Sequence, residues 1–181
     1  MHPGFCVWLT GLSGAGKTTL AGVLSSMLDE RGRVVTILDG DIVRIMLSRG
    51  LGFSREDRHE NIVRVGYVAS EIVRHGGAVV CAMISPYDAS RDAAREMIGS
   101  VRFILVHVDA PLDTCERRDP KGLYARARRG EIKGFTGIDD PYEVPSCPDL
   151  HLRTDLADAE TCAREILGHL QARGFVSMNS P

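Results

Sequence analysis

The residues of this 181-residue chain best suited to chemistry begin with Gly11-Leu12-Ser13-Gly14-Ala15-Gly16-Lys17-Thr18-Thr19. They satisfy G-x-x-x-x-G-K-[ST] without gap or substitution. The glycines let backbone N–H groups turn inward around phosphate oxygens, where side chains would block them. Lys17 is expected to reach the β- and γ-phosphates, and the Thr18 hydroxyl to ligate Mg²⁺. Gly11, Ser13, Gly14, Ala15, Gly16, Lys17, Thr18 and Thr19 therefore form the expected triphosphate cradle. The apolar run Phe5-Cys6-Val7-Trp8-Leu9 precedes the loop and a helix-like run to Leu24 follows it. A glycine-rich turn that merely caps a helix would need neither the Lys-Thr pair nor a strand on that side.

Elements to position this loop can be read along the chain. Strands are expected at 5–10, 34–38, 78–84, 103–108 and 150–153, and helices at 17–30, 42–47, 54–75, 90–98, 112–117 and 159–172. The second strand is β-branched and apolar enough to be buried on both faces. It stops at Asp39-Gly40-Asp41, carboxylates placed where ligands bind in open α/β sheets. Ser54 with Asp57 three residues on reads as an acidic capping box. Alternation of strand and helix around a P-loop predicts an α/β fold of the P-loop nucleoside-triphosphate hydrolase/kinase type. Its doubly wound parallel sheet should have about five strands. One domain is expected over 1–181, with a lid at about 117–137 and a frayed tail at 175–181.

Bulk properties narrow the partners. A formal charge of −2 with 44% hydrophobic residues describes an ordinary globule, with no global case for nucleic acid or membrane. No signal peptide or spanning segment is evident, which points to the cytoplasm. Five cysteines without C-x-x-C spacing read as free thiols in a reducing compartment rather than a zinc site. No Asn-Lys-x-Asp run is present to read guanine. Residues 117–133 carry seven cations against two carboxylates. Such a lid can neutralise phosphoryl charge and exclude water, although charge alone fits a solvated basic helix equally well.

Further blocks are more specific than the P-loop. They are Asp39-Gly40-Asp41-x-x-Arg44, Gly52-Phe53-Ser54-x-x-Asp57-Arg58-x-Glu60-Asn61-Ile62, Ile84-Ser85-Pro86-Tyr87, Cys115-Glu116-x-Arg118-Asp119-Pro120-Lys121-Gly122-Leu123-Tyr124, Gly130 to Asp139, and Pro141-Tyr142-Glu143. Together, over about residues 5–155, they resemble the adenylylsulfate (APS) kinase family. The resemblance implies transfer of the ATP γ-phosphoryl group to the 3′-hydroxyl of adenosine 5′-phosphosulfate, giving 3′-phosphoadenylylsulfate (PAPS) and ADP, with Mg²⁺. It also implies a homodimer, with the helix at 55–75 as a candidate two-fold contact. The bare N-terminus is compatible with a stand-alone protein or with a domain fused to or associated with ATP sulfurylase.

The resemblance implies roles that suit the residue types. Phe53 and Phe135 would be aromatic walls for the APS adenine. Arg44, Arg58 and Asn61 would contact phosphosulfate and nucleoside, since a guanidinium fork binds oxyanions bidentately. Lys121, Gly122 and Leu123 would come from the lid, with Lys133, Gly134 and Phe135 closing the other side. Asp39 would hold Mg²⁺ through water and Asp41 would accept a hydrogen bond from the 3′-hydroxyl. The reverse division and a merely orienting Asp41 both stay open.

Ser85 matches the family's proposed phosphoserine position. No His lies nearby in sequence to activate it, so it reads better as a substrate-side hydrogen bonder, with Ile84 packing on the adenosine. Ile42, Val63, Met83 and Asp88 depart from the family pattern; Val63 and Asp88 each remove a positive charge near or behind the substrate side, and none replaces a residue assigned to ATP or Mg²⁺. Two other readings share the P-loop: a kinase for another small hydroxyl metabolite, and a silent nucleotide-binding regulator.

Overall fold

A computed structural model describes residues 3–177. The strands are β1 (Phe5–Thr10), β2 (Val35–Asp39), β3 (Ala78–Ala82), β4 (Phe103–Asp109) and β5 (Leu150–Arg153). The helices are α1 (Lys17–Asp29), α2 (Gly40–Met46), α3 (Arg55–Arg74), α4 (Asp88–Ile98), α5 (Leu112–Arg118), α6 (Leu123–Arg128) and α7 (Ala159–Ala172). All pairings are parallel, in the order β2-β3-β1-β4-β5. The P-loop strand β1 therefore lies at the centre.

Alternation along each strand divides the core into two layers. Phe5, Val7 and Leu9 of β1 pack with Val80, Ile104, Val106 and Leu152 against α1 and α7. Cys6 and Trp8 face the other way and pack with Val79, Cys81 and Phe103 against α3 and α4. The approach of α3 to α4 is close: a Cβ on Gly66 would lie 3.1 Å from the Ala94 backbone. This is the doubly wound architecture expected from the sequence.

Several local expectations need correction. β2 is an edge strand, and Thr36 and Ile37 are exposed, so the prediction of burial on both faces fails. Its apolar composition meets β3 along one edge only. Ser54 does cap α3, accepting from the Asp57 N–H at 3.1 Å. The Asp57 carboxylate, however, reaches back to the Gly52 N–H at 3.0 Å instead of closing a box on Ser54. The expected fraying at 175–181 does not extend to Phe175 and Val176, which are buried in the α1–α7 layer. Phe175 packs its ring 5.4 Å from that of Phe5. The rest of that expectation, residues 178–181, lies outside the described residues.

Phe175→Ala should therefore lower unfolding stability by about 3–5 kcal/mol, measured by urea denaturation. A change within experimental error would mean that the tail does not contribute to the core.

Candidate active site

The strand order brings the loops after β1, β2 and β3 to one edge of the sheet, where the lid residues meet them. The result is a cleft of about 1080 Å³. That is at or above the ~300–1,000 Å³ typical of a pocket for one small ligand.

The phosphate end is built on β1 and α1. A Cβ on Gly11 would lie 2.1 Å from the Val108 carbonyl oxygen, so only glycine lets the loop leave β1 beside β4. Gly14 adopts φ +75°, and its Cβ would meet the Cys115 carbonyl oxygen at 3.0 Å. Gly16 caps α1 without a side-chain hydrogen bond, leaving first-turn N–H groups available to an anion. Lys17 is buried and donates to the carbonyls of Gly11 at 2.9 Å and Leu12 at 2.8 Å. Burial is the main cause that pushes its ammonium down to about 8, and Lys121 acts in the same direction, while Cys115, Asp39 and Asp41 oppose the shift.

Thr18 donates to Asp39 Oδ2 at 2.7 Å, which ties the P-loop helix to the end of β2. Asp39 Oδ1 caps α2 by accepting the Asp41 N–H at 3.0 Å. The Asp41 carboxylate itself pairs with Lys121 of the lid. The two aspartates thus face different neighbours, Asp39 the P-loop threonine and Asp41 the lid lysine. A hydroxyl and a carboxylate oxygen beside a phosphate cradle fit Mg²⁺, which takes few protein ligands and completes its shell with phosphate and water.

The other end of the cleft carries the remaining cations and aromatic rings. Phe53 is 66% exposed and thus is not a core residue; the Arg44 and Arg58 guanidiniums lie 4.6 and 5.7 Å from its ring centre. Phe135 is buried, edge-on to Tyr124 at 5.0 Å. Arg58 is also buried and donates to the Phe53 carbonyl at 2.8 Å, the Thr136 hydroxyl at 2.6 Å and the Gly134 carbonyl. One guanidinium therefore fixes the backbone beside both rings. Arg44 donates to the Gly52 carbonyl at 2.5 Å. Asn61 is buried in the wall with its Oδ1 unpartnered.

Most of the sequence-predicted residues line this one cleft, including Ser13, Gly14, Gly16, Thr19, Ile84, Ser85 and Leu123. Gly11, Ala15, Gly122, Lys133 and Gly134 do not. Gly11 and Gly134 act through carbonyls that accept from Lys17 and Arg58, and Lys133 is exposed. Outside the cleft, much of the lid's positive charge is paired on its surface: Arg126 and Arg129 with Glu131, and Arg128 with Glu116.

Sequence reasoning assigned no role to Arg118, Thr154 or Thr136, which also line the cleft. Arg118 donates to the Thr154 carbonyl at 2.7 Å and Thr154 to the Ala15 carbonyl at 2.7 Å, bracing the P-loop from β5. Arg118 stood inside a quoted motif, whereas nothing local marked Thr154.

The adenylylsulphate kinase family model matches residues 3–153. The chain belongs to the adenylylsulphate kinase family. It is 52% identical over 176 residues to an adenylyl-sulfate kinase of Picosynechococcus sp., covering 97% of this chain and 98% of that protein. An adenylyl-sulfate kinase of Chloroflexus aurantiacus is 54% identical over 173 residues, covering 96% and 92%. Among solved structures, the APS kinase CysC of Mycobacterium tuberculosis in complex with AMPPNP and APS superposes with TM-score 0.90 at 44% identity, covering 94% of this chain and 99% of that one.

The lowered Lys17 value sets a pH dependence. Triphosphate should bind the ammonium form, so the ATP dissociation constant should rise by up to ~10-fold per pH unit above about 8. Titration calorimetry between pH 7 and 9.5 checks this, with Lys17→Met as the flat control. A flat wild-type profile would place the ammonium value outside that range.

Proposed function

We propose that this chain transfers the γ-phosphoryl group of ATP to the 3′-hydroxyl of adenosine 5′-phosphosulfate, releasing PAPS and ADP. The observation that carries the reading is the two-ended cleft of an adenylylsulphate kinase family member. The P-loop lies at one end, Phe53, Phe135, Arg44, Arg58 and Asn61 at the other, and Asp41 with Lys121 between them.

In this reading Lys17 and the loop N–H groups hold the triphosphate, and Phe53 and Phe135 hold the acceptor adenine. Phosphoryl transfer needs positioning and charge neutralisation more than covalent chemistry. Lys121 leaves Asp41 to neutralise the transferred group or the phosphosulfate. Asp41 then accepts the hydrogen bond of the 3′-hydroxyl and aligns its oxygen for in-line attack. Thr18 and Asp39 would hold Mg²⁺, Asp39 through water, and the ion would supply charge neutralisation to the triphosphate.

No base hydrogen-bonds to the Ser85 hydroxyl among the described residues. Its Oγ accepts the Trp8 indole N–H at 3.1 Å in a buried setting, which supports an acceptor-side contact instead of a phosphorylated intermediate. The assembly we propose is a homodimer across α3, whose Tyr67 is 60% exposed. Association with ATP sulfurylase would supply its substrate. No helix among the described residues is long and apolar enough to cross a membrane, and we assign the reaction to the cytoplasm.

An assay with ATP, Mg²⁺ and APS, with products identified by mass, should show PAPS and ADP together. No turnover despite tight APS binding would favour a silent regulator, and no APS binding a different hydroxyl acceptor. Ser85→Ala should retain activity within about tenfold, consistent with loss of one neutral hydrogen bond; complete loss with APS binding intact would favour a phosphoserine route. Asp39→Asn should raise the Mg²⁺ concentration for half-maximal rate by about tenfold or more, whereas Asp41→Asn should lower kcat with little change in that concentration. The opposite pattern would exchange the two roles.

A further inference from the structure

Arg91 of α4 is 1% exposed, among the largest fully buried side chains, and it does not itself line the cleft. Its fork is spent on one place. Nη1 donates to the Ser85 carbonyl at 2.6 Å, and Nη2 donates to the Glu143 carbonyl at 2.6 Å and to the Asp88 carboxylate. The guanidinium also lies 5.8 Å from the Tyr142 ring centre. Asp88, a departure from the family pattern, thus supplies the countercharge of a buried cation.

Ser85 is the one non-glycine residue among those described whose φ lies in the left-handed range, at +39°. A side chain held in that region is strained and persists only where its surroundings over-determine it. Three groups do so here. Arg91 holds the Ser85 carbonyl, Trp8 donates to its hydroxyl, and Thr10 donates to the preceding Ile84 carbonyl at 2.7 Å. The same turn anchors the strap that follows the lid. Glu143 donates its N–H to the Pro86 carbonyl at 2.8 Å, and Tyr87 donates to Asp140 at 2.8 Å, whose carboxylate lies 4.0 Å from Arg58.

We propose that Arg91, with Asp88 as its countercharge, is the positioning residue of the acceptor end of the cleft. It fixes Ser85 in its left-handed conformation and fastens the 140–143 strap to that turn, so that Arg58 and Phe135 meet the acceptor in one geometry. A lysine preserves the charge but carries its donors on one nitrogen, and it lacks the fork that spans the Ser85 and Glu143 carbonyls. The term acceptor end rests on the function proposed above; the clamp on Ser85 does not.

Trp8 is the sole tryptophan of the chain, so its indole N–H reports Ser85 placement without any need for turnover. In Arg91→Lys, hydrogen exchange of that indole followed by NMR should quicken at least tenfold, and KM for APS should rise about tenfold. KM for ATP should stay within twofold. The KM penalty should shrink in a Ser85→Gly background, where the left-handed conformation carries no strain. Asp88→Ala, a milder change at an exposed partner, should move both readouts in the same direction by two- to threefold, and serves if Arg91→Lys does not fold.

Unchanged indole exchange would overturn the clamp, and so would equal rises of both KM values accompanying a general loss of stability. An equal penalty in the Ser85→Gly background would do the same. Faster indole exchange in a protein whose wild type makes no PAPS would leave the clamp standing and remove the proposed substrate.

Discussion

Lys17 is a buried cation, and a buried cation is tolerated only when oxygen atoms surround it. Here they are the carbonyls of Gly11 and Leu12, contributed by the loop that must also turn its N–H groups toward phosphate. That requirement sets the path of the chain. The loop must leave β1 at the centre of the sheet, pass within contact of the β4 backbone at Gly11, and be supported from below by α5 at Gly14. It also needs its flank held, which Thr154 and Arg118 do from β5 and the lid. Even the depressed ammonium value follows, because the dry surroundings that sharpen electrostatics at the phosphate end disfavour charge before the ligand arrives.

From this centre the two aspartates acquire different surroundings through one turn of chain. Asp39 ends β2 and spends one oxygen on Thr18 and the other on the first turn of α2. It is therefore rigid and committed to the P-loop. Asp41, inside α2, points toward the lid and meets Lys121 in an exposed pair of modest strength. A rigid carboxylate suits a metal shell, and a carboxylate whose partner leaves easily suits a group that must receive a hydroxyl.

What was legible in the sequence was whatever depended on local pattern. The P-loop, the carboxylates at the end of β2, the Ser54 cap and the strand periodicities all rest on neighbours within a few residues. What was not legible depended on contacts across the chain. β2 looks fully buried because its apolar composition does not reveal that it lies at the sheet edge. Phe175 follows the last helix and reads as a tail until its partner, Phe5 at the opposite end of the chain, is known. Motif resemblance drew attention to Phe53, Phe135 and Arg58, but not to the fact that Arg58 joins the two rings through backbone carbonyls. Nothing local marks Arg91 in its helix of mixed polarity; only the convergence of Ser85 and Glu143 on it does.

The same contrast accounts for the four departures from the family pattern. Ile42 is 60% exposed on α2, next to Asp41 of the cleft wall. Val63 is half-buried on α3, one residue from a cleft wall. Met83 is buried just past β3, its flexible thioether sulfur 3.5 Å from where a Cβ on Gly40 would lie. Asp88 pairs with Arg91. None of the four hydrogen-bonds or ion-pairs with Lys17, Thr18 or Asp39 through its side chain among the described residues, and of the four Met83 lines the cleft. Asp88 is the one of the four with a charged partner, and that partner holds the Ser85 carbonyl in place.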